Sequence, residues 1–178
     1  IVCLPTAGVV SGLDEAYRLH PVAEGDSILR RLQGKVRANM FFANSTRTRM
    51  SCETAMKGLG GSVLNFSSIG TSVSKGETLY DTMQMIDSYA DIAAIRHPKQ
   101  GAAPYRADAV GIPILNAGDG AGDHPAQTML ALFAIRPAHR PLEGLNVFLF
   151  CDLRYGSTFH RHSPALVRFA ASLTLVSP

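Results

Sequence analysis

The sequence predicts an α/β fold, a parallel sheet flanked by helices, followed by the beginning of a second α/β domain. Three observations carry this expectation. From residue 35 onward, short apolar runs alternate with stretches of helical period, and strand then helix, repeated, requires crossover connections and a mostly parallel sheet. The 178 residues, 46% of them apolar, suffice for one well-buried core and part of a second. The stretch RPAHRPLEG at 136–144 carries two prolines, a glycine and charges, and only one strand–helix–strand unit follows it. The expected division is a first domain over 1–140 and a truncated second one over 141–178.

Residues 1–34 are the least regular part. Pro5, Gly8, Gly12, Pro21 and Gly25 interrupt any long period, leaving helical turns at 13–19 and 28–32. Strands are expected at 36–42, 62–66, 91–95, 112–115, 146–150 and 173–176. Between them, Cys52, Ala55, Met56 and Leu59 fall on one helix face, and Gly60-Gly61 supplies the stop. Leu79, Met83, Ile86 and Tyr89 make a second face, Ala126, Met129, Leu130 and Phe133 a third, and His162, Leu166, Phe169 and Ala170 a fourth.

Composition narrows the function classes. The formal charge is +3, with Lys and Arg scattered and no run of five like charges, which is not a nucleic-acid footprint. Arg30, Arg31, Lys35 and Arg37 read as a solvated helix end. Cys3, Cys52 and Cys151 are odd in number and far apart, as expected for reduced thiols in a cytoplasmic protein. No apolar stretch approaches the roughly 20 residues that span a bilayer, and the start lacks an export signal, so neither membrane nor nucleic acid is an expected partner. The chain begins without Met and stops after an apolar run, as a segment of something longer would.

The chemistry concentrates at strand ends. In FFANSTRTRM (41–50), Ser45, Thr46, Arg47, Thr48 and Arg49 follow an apolar run and lead into a helical pattern. In a parallel sheet such a strand-to-helix turn points free N–H groups at a ligand, hydroxyls can surround an anion, and Arg47 supplies a planar charge. A lone row of this kind is equally an ordinary helix cap. Three further stretches change that: SKGETLYDT (74–82), RHP (96–98) and NAGDGAGDHPAQ (116–127) put Lys75, Arg96, His97, His124 and Gln127 at other strand ends or helix entrances. Together they make a site. The remaining histidines read blandly. His160 and His162 face different directions and make no metal pair, His20 and His139 are solvated loop residues, and His97, beside Pro98, packs.

These motifs in this order, S-T-R-T-R with a helix ending in L-G-G, K-G-E-T, R-H-P and G-D-G-x-G-x-H-P-x-Q, resemble the carbamoyltransferases, and among them the catalytic chain of the aspartate enzymes. The resemblance runs from about residue 33 to 178. It implies a carbamoyl-phosphate domain followed by an amino-acid domain, in a homotrimer with active sites shared between subunits, and leaves room for a regulatory chain or fusion to other pyrimidine-pathway enzymes. It also implies transfer of the carbamoyl group from carbamoyl phosphate to L-aspartate. Ser45, Thr46, Arg47 and Thr48 would hold the phosphate. Thr48, Arg96 and His124 would surround the carbonyl oxygen, and Gln127 the amide nitrogen. Lys75, with Thr71 or Ser72, would reach into the neighbouring subunit's site. Negative charge grows on the carbonyl oxygen as an amine attacks, so the reaction needs preorganised donors and cations and no cofactor or metal.

The pattern breaks at CDLRYGSTFHR (151–161), where the family usually carries G-D-L-x-x-G-R-T-x-H-S. Ser157 stands where an arginine would grip the aspartate carboxylate, and serine cannot form that bidentate fork. Cys151 for Gly, Arg161 for Ser, Ala126 for Thr and Ala131 for Asp are further departures. Two alternatives therefore stand beside the aspartate enzyme: a carbamoyl-phosphate-binding paralogue that has lost aspartate binding, and a carbamoyltransferase for another amine such as ornithine.

Overall fold

The computed structural model describes residues 4–67, 71–102, 110–120, 122–137, 142–150, 152 and 163–177. It falls into two compact units, one of residues 1–18 with 121–178 and the other of residues 19–120.

The second unit holds the four strands β1 (Val36–Phe41), β2 (Ser62–Ser67), β3 (Ile92–His97) and β4 (Ile114–Asp119). They form one all-parallel sheet in the order β2-β1-β3-β4, as expected. The period of two along each strand sorts side chains onto two faces. Ala38 and Met40 of β1 and Ala93 and Ile95 of β3 pack with Met83 and Ile86 of α3 (Leu79–Asp87). Arg37 and Asn39 take the opposite face, under α2 (Thr46–Gly58). That seam is polar. Asn39 Nδ2 donates to Asn65 Oδ1 (3.2 Å), Asn65 Nδ2 to Glu53 Oε2 (3.0 Å), and Lys57 Nζ to Glu53 Oε1 (2.6 Å). The Lys57 and Asn65 hydrogen bonds hold the Glu53 carboxyl below its ordinary pKa. Arg37, expected at a solvated helix end, is instead in β1 and 6% exposed, because its strand is central in the sheet.

The ladder between β3 and β4 is irregular. Ile95 pairs with Asn116 but His97 pairs with Asp119, so β4 spends one residue more than β3 beside Arg96. The Gly118 φ of 117° lies in the range that favours glycine.

The first unit is built on most of α1 (Thr6–Glu24), up to Arg18, and on α4 (Pro125–Ile135) with the parallel pair β5 (Leu145–Phe150) and β6 (Ala170–Val176). The expectation of broken turns over 1–34 is corrected here: α1 runs nineteen residues with Pro21 inside its last turns. His20, expected in a loop, is on this helix, 3.7 Å from Glu24. Val9 and Leu13 are buried with Leu132, Leu142, Ala165, Leu166 and Phe169. A side chain at Gly12 would reach to 3.0 Å from Met129 Cε, so this glycine lets α1 approach α4 closely. Tyr17 stacks on Phe133 (4.3 Å between centroids) and donates its hydroxyl to the Phe133 carbonyl (2.8 Å), while Arg136 pairs with Asp14 and lies over the Tyr17 ring.

Three expected helix faces are adjusted. Ala55 is exposed on α2 while Met56 is buried. Tyr89 lies beyond α3 and is exposed. On α4, Thr128 and Leu132 are the buried positions and Leu130 is exposed. His139, His160, His162 and the stretch 153–161 lie outside the described residues.

Candidate functional site

The strand order decides where a ligand can sit. From β1 the chain crosses to β2 on one side and then returns to β3 on the other, so β1 and β3 flank a topological switch point, where α/β sheets bind ligands beyond the carboxyl ends of the strands. Phe41 pairs with Arg96 at that end, and the Phe42 N–H donates to the Arg96 carbonyl at 2.9 Å. The row Ser45–Thr48 leaves this point into α2, and Arg96 arrives at it from β3. Residues fifty positions apart in sequence thus share one end of the sheet.

The α2 N-terminus differs from its neighbour. Thr78 caps α3 with a full capping box, its side chain accepting from the Asp81 N–H while Asp81 accepts from the Thr78 N–H, which satisfies that helix end internally. Ser45 caps α2 with extended backbone (φ −161°) but its side chain accepts no N–H, and the first turn holds no acidic residue. An anion at such an end gains about 0.3–1 kcal/mol from the helix dipole, and Arg47 and the hydroxyls add charge-assisted bonds. Thr46 and Arg47 are exposed, Ser45 and Thr48 half-buried. The Glu53 seam fixes α2 over β1 and β2 and so sets where this row points.

Arg96 is half-buried, and its Nη1 donates to the Ala117 carbonyl at 3.1 Å. His97 packs its ring against Phe42 (5.4 Å) and accepts the Lys99 N–H on Nδ1 at 3.0 Å. Thr71 precedes a single 3-10 turn, Ser72–Lys75, closed by Gly76 at a φ of 96°. Ser72 and Lys75 are exposed there, on a connection separate from the Ser45 row.

The structure places His124 and Gln127 in the other unit. His124 is the N-cap of α4, ahead of Pro125, and is 5% exposed. Its Nδ1 accepts from the Gln127 N–H at 3.4 Å, and the same N–H donates to the His124 carbonyl at 3.0 Å. Gln127 is exposed.

Two groups escaped the reading of the sequence. The Asn39–Asn65–Glu53 seam looks like any polar scatter until β1 and β2 are paired. Asp119 stands inside the quoted NAGDG stretch, but its burial shows only once β4 is set against β3. Among the described residues no group of three or more His, Cys, Asp or Glu is arranged to hold a metal ion, and no helix is long and apolar enough to cross a membrane.

Comparison with known proteins agrees with this geometry. Residues 5–137 match the family model described as aspartate/ornithine carbamoyltransferase, carbamoyl-P binding domain. The chain is 46% identical over 167 residues to an aspartate carbamoyltransferase catalytic subunit of Archaeoglobus fulgidus, covering 93% of this chain and 56% of that one. It is 48% identical to the same subunit of Methanococcoides burtonii, covering 93% and 54%. Among solved structures, aspartate transcarbamoylase of Trypanosoma cruzi in complex with N-(phosphonacetyl)-L-aspartic acid superposes with a TM-score of 0.90 at 37% identity, over 98% of this chain and 57% of that one. The catalytic subunit of M. jannaschii aspartate transcarbamoylase gives 0.90 at 40%, over 98% and 58%. The chain spans little more than half the length of these relatives. With its sheet, its switch-point row and a family model covering most of its length, this chain belongs to the aspartate/ornithine carbamoyltransferase family, through the carbamoyl-P binding domain.

Proposed function

We propose that the chain binds carbamoyl phosphate at the carboxyl ends of β1 and β3 and serves in its transfer to the amine of L-aspartate, giving N-carbamoyl-L-aspartate and phosphate for pyrimidine biosynthesis in the cytoplasm. The observation that carries this is the juxtaposition at the switch point: an α2 N-terminus without an internal cap, bearing Ser45, Thr46, Arg47 and Thr48, beside the strand end that bears Arg96. In this reading the row holds the phosphate. Thr48, Arg96 and His124 meet the carbonyl oxygen, where donors matched to the growing charge are worth on the order of 10²- to 10³-fold each in rate. Gln127 meets the amide nitrogen. Lys75, exposed on its own 3-10 turn with Thr71 and Ser72, serves a neighbouring subunit's site in a homotrimer. Residues 1–140 form the carbamoyl-phosphate domain and 141–178 belong to the aspartate-binding one. A regulatory chain or a fusion to other pathway enzymes is compatible with this arrangement. The relatives' names, and the bisubstrate analogue bound by the T. cruzi enzyme, support the choice of aspartate.

A second reading rests on Ser157: a protein that keeps the anion site without gripping the aspartate carboxylate. Calorimetric titration with a phosphonate–aspartate bisubstrate mimic, against its phosphonate fragment alone, separates the two. The transferase reading expects the aspartate half to add several kcal/mol, and equal affinities select the second reading. Arg47→Ala should weaken both ligands ten- to a hundredfold, about 1.5–3 kcal/mol for a charge-assisted contact; unchanged affinities would remove the phosphate site itself.

A further inference from the structure

We propose that Asp119 is a positioning residue for Arg96, locking a one-residue slip in β4 that sets the direction of the guanidinium. The inference rests on the reading above, in which Arg96 meets the carbonyl oxygen of carbamoyl phosphate.

A parallel ladder pairs residues one to one, and an extra residue in one strand bends it, strengthens its twist and re-aims nearby side chains. Such insertions are rare in parallel sheets. Here the extra residue falls beside Arg96, since the register passes from Ile95–Asn116 to His97–Asp119. The guanidinium is held by this irregularity itself: Arg96 Nη1 donates to the carbonyl of Ala117, one of the two residues inside the slip. The other, Gly118, adopts a φ of 117° and donates its N–H to Asn116 Oδ1, two residues earlier in the strand, at 2.8 Å.

An irregular strand end needs something to hold it. Asp119 is 4% exposed, and its Oδ2 accepts the Gly101 N–H at 2.9 Å, while Oδ1 has no hydrogen-bond partner among the described residues. The Gly120 N–H donates to the His97 carbonyl at 2.8 Å, and Gly120 is pressed against Pro98 so closely that a Cβ there would lie 2.4 Å from the Pro98 oxygen. The residues just after Arg96 are thus clamped to the residues just after the slip, and the carboxylate of Asp119 is the side chain in that clamp. Burying a carboxylate with one oxygen unpaired is unfavourable. Because Arg96 Nη1 is held by the Ala117 carbonyl inside the slip, fixing the slip at Asp119 fixes the direction of the guanidinium.

The test uses the wild-type chain, Asp119→Ala and Asp119→Asn, each titrated calorimetrically with inorganic phosphate and with phosphonoacetamide, which adds the carbonyl that Arg96 would meet. Asp119→Ala should weaken phosphonoacetamide about tenfold, a loss of about one ordinary hydrogen bond, and leave phosphate within about twofold. Asp119→Asn, whose side-chain oxygen still accepts the Gly101 N–H, should recover most of the difference. Equal loss for both ligands, or none for either, overturns the proposal. A wild-type chain that does not prefer phosphonoacetamide to phosphate removes the carbamoyl-phosphate reading and the inference with it. If Asp119→Ala does not fold, Gly118→Ala perturbs the same slip from the backbone, and the same loss of preference is expected; an unchanged preference overturns the proposal.

Discussion

Lys35 Nζ lies 2.7 Å from Asp91 Oδ1, and the other oxygen of that carboxylate accepts the Val36 N–H at 2.8 Å. This pair closes the amino-terminal end of the β1–β3 contact, opposite the end closed by the bond between Phe42 and Arg96. The two strands that flank the switch point are therefore pinned at both ends.

The Lys35 hydrogen bond, and after it the Val36 N–H, hold the Asp91 carboxyl below its ordinary pKa. A carboxyl depressed in the folded state contributes stability that is complete above its unfolded value of about 3.9 and is lost as pH falls through the lower folded value. The melting temperatures of wild type and Asp91→Asn should differ by a constant amount from pH 7 to about 5, and converge below about 4. A gap that persists undiminished at pH 3 would contradict this.

Arg37 places Nε and Nη2, one edge of its guanidinium, where neither has a hydrogen-bond partner among the described residues. Burial lowers its pKa, and the neighbouring Cys52 and Glu53 only partly oppose this. Burial in turn raises the Cys52 thiol, with Arg37 pulling it down. Glu53 keeps Lys57 and Asn65 as partners without Arg37, so an apolar replacement of Arg37 removes a desolvation penalty without stranding a buried partner charge. Arg37→Met should raise unfolding stability by about 1–3 kcal/mol, read as a higher denaturant midpoint. A lowered midpoint would show that the charge holds α2 in place.

Gly120 has a φ of 55° and no space for a side chain beside the Pro98 carbonyl. Left-handed backbone costs a non-glycine residue about 1–3 kcal/mol, and the backbone contact adds to that. Gly120→Ala should lower the melting temperature by several degrees, whereas Gly76→Ala, with a φ of 96° but open space around it, should lower it less. Equal losses would show that the contact with Pro98 carries no weight.

Periodicity located the sheet because each strand is a short apolar run bounded by turn residues, and four of them recur in the parallel order that alternation with helices requires. The same reasoning failed on α1, where Gly8, Gly12 and Pro21 read as interruptions. Gly12 is instead a point of close approach to Met129, burial of Val9 and Leu13 anchors the first half of the helix, and Pro21 falls in its last turns. On α4 the residues from Pro125 to Ile135 are apolar nearly all round, so no period could choose between the exposed face of Leu130 and the buried face of Leu132. The Ser45–Thr48 row, Lys75, Arg96, His124 and Gln127 were visible as residue types at strand ends and helix entrances, since that chemistry is local to each turn. Strand order was not local: it took the pairing of Phe41 with Arg96 to bring the α2 row to a switch point, and the pairing of His97 with Asp119 to reveal a slip beside Arg96 and a buried carboxylate next to it. Spacing along one chain records which groups a turn offers. Which groups meet depends on hydrogen bonds between strands that the sequence keeps tens of residues apart.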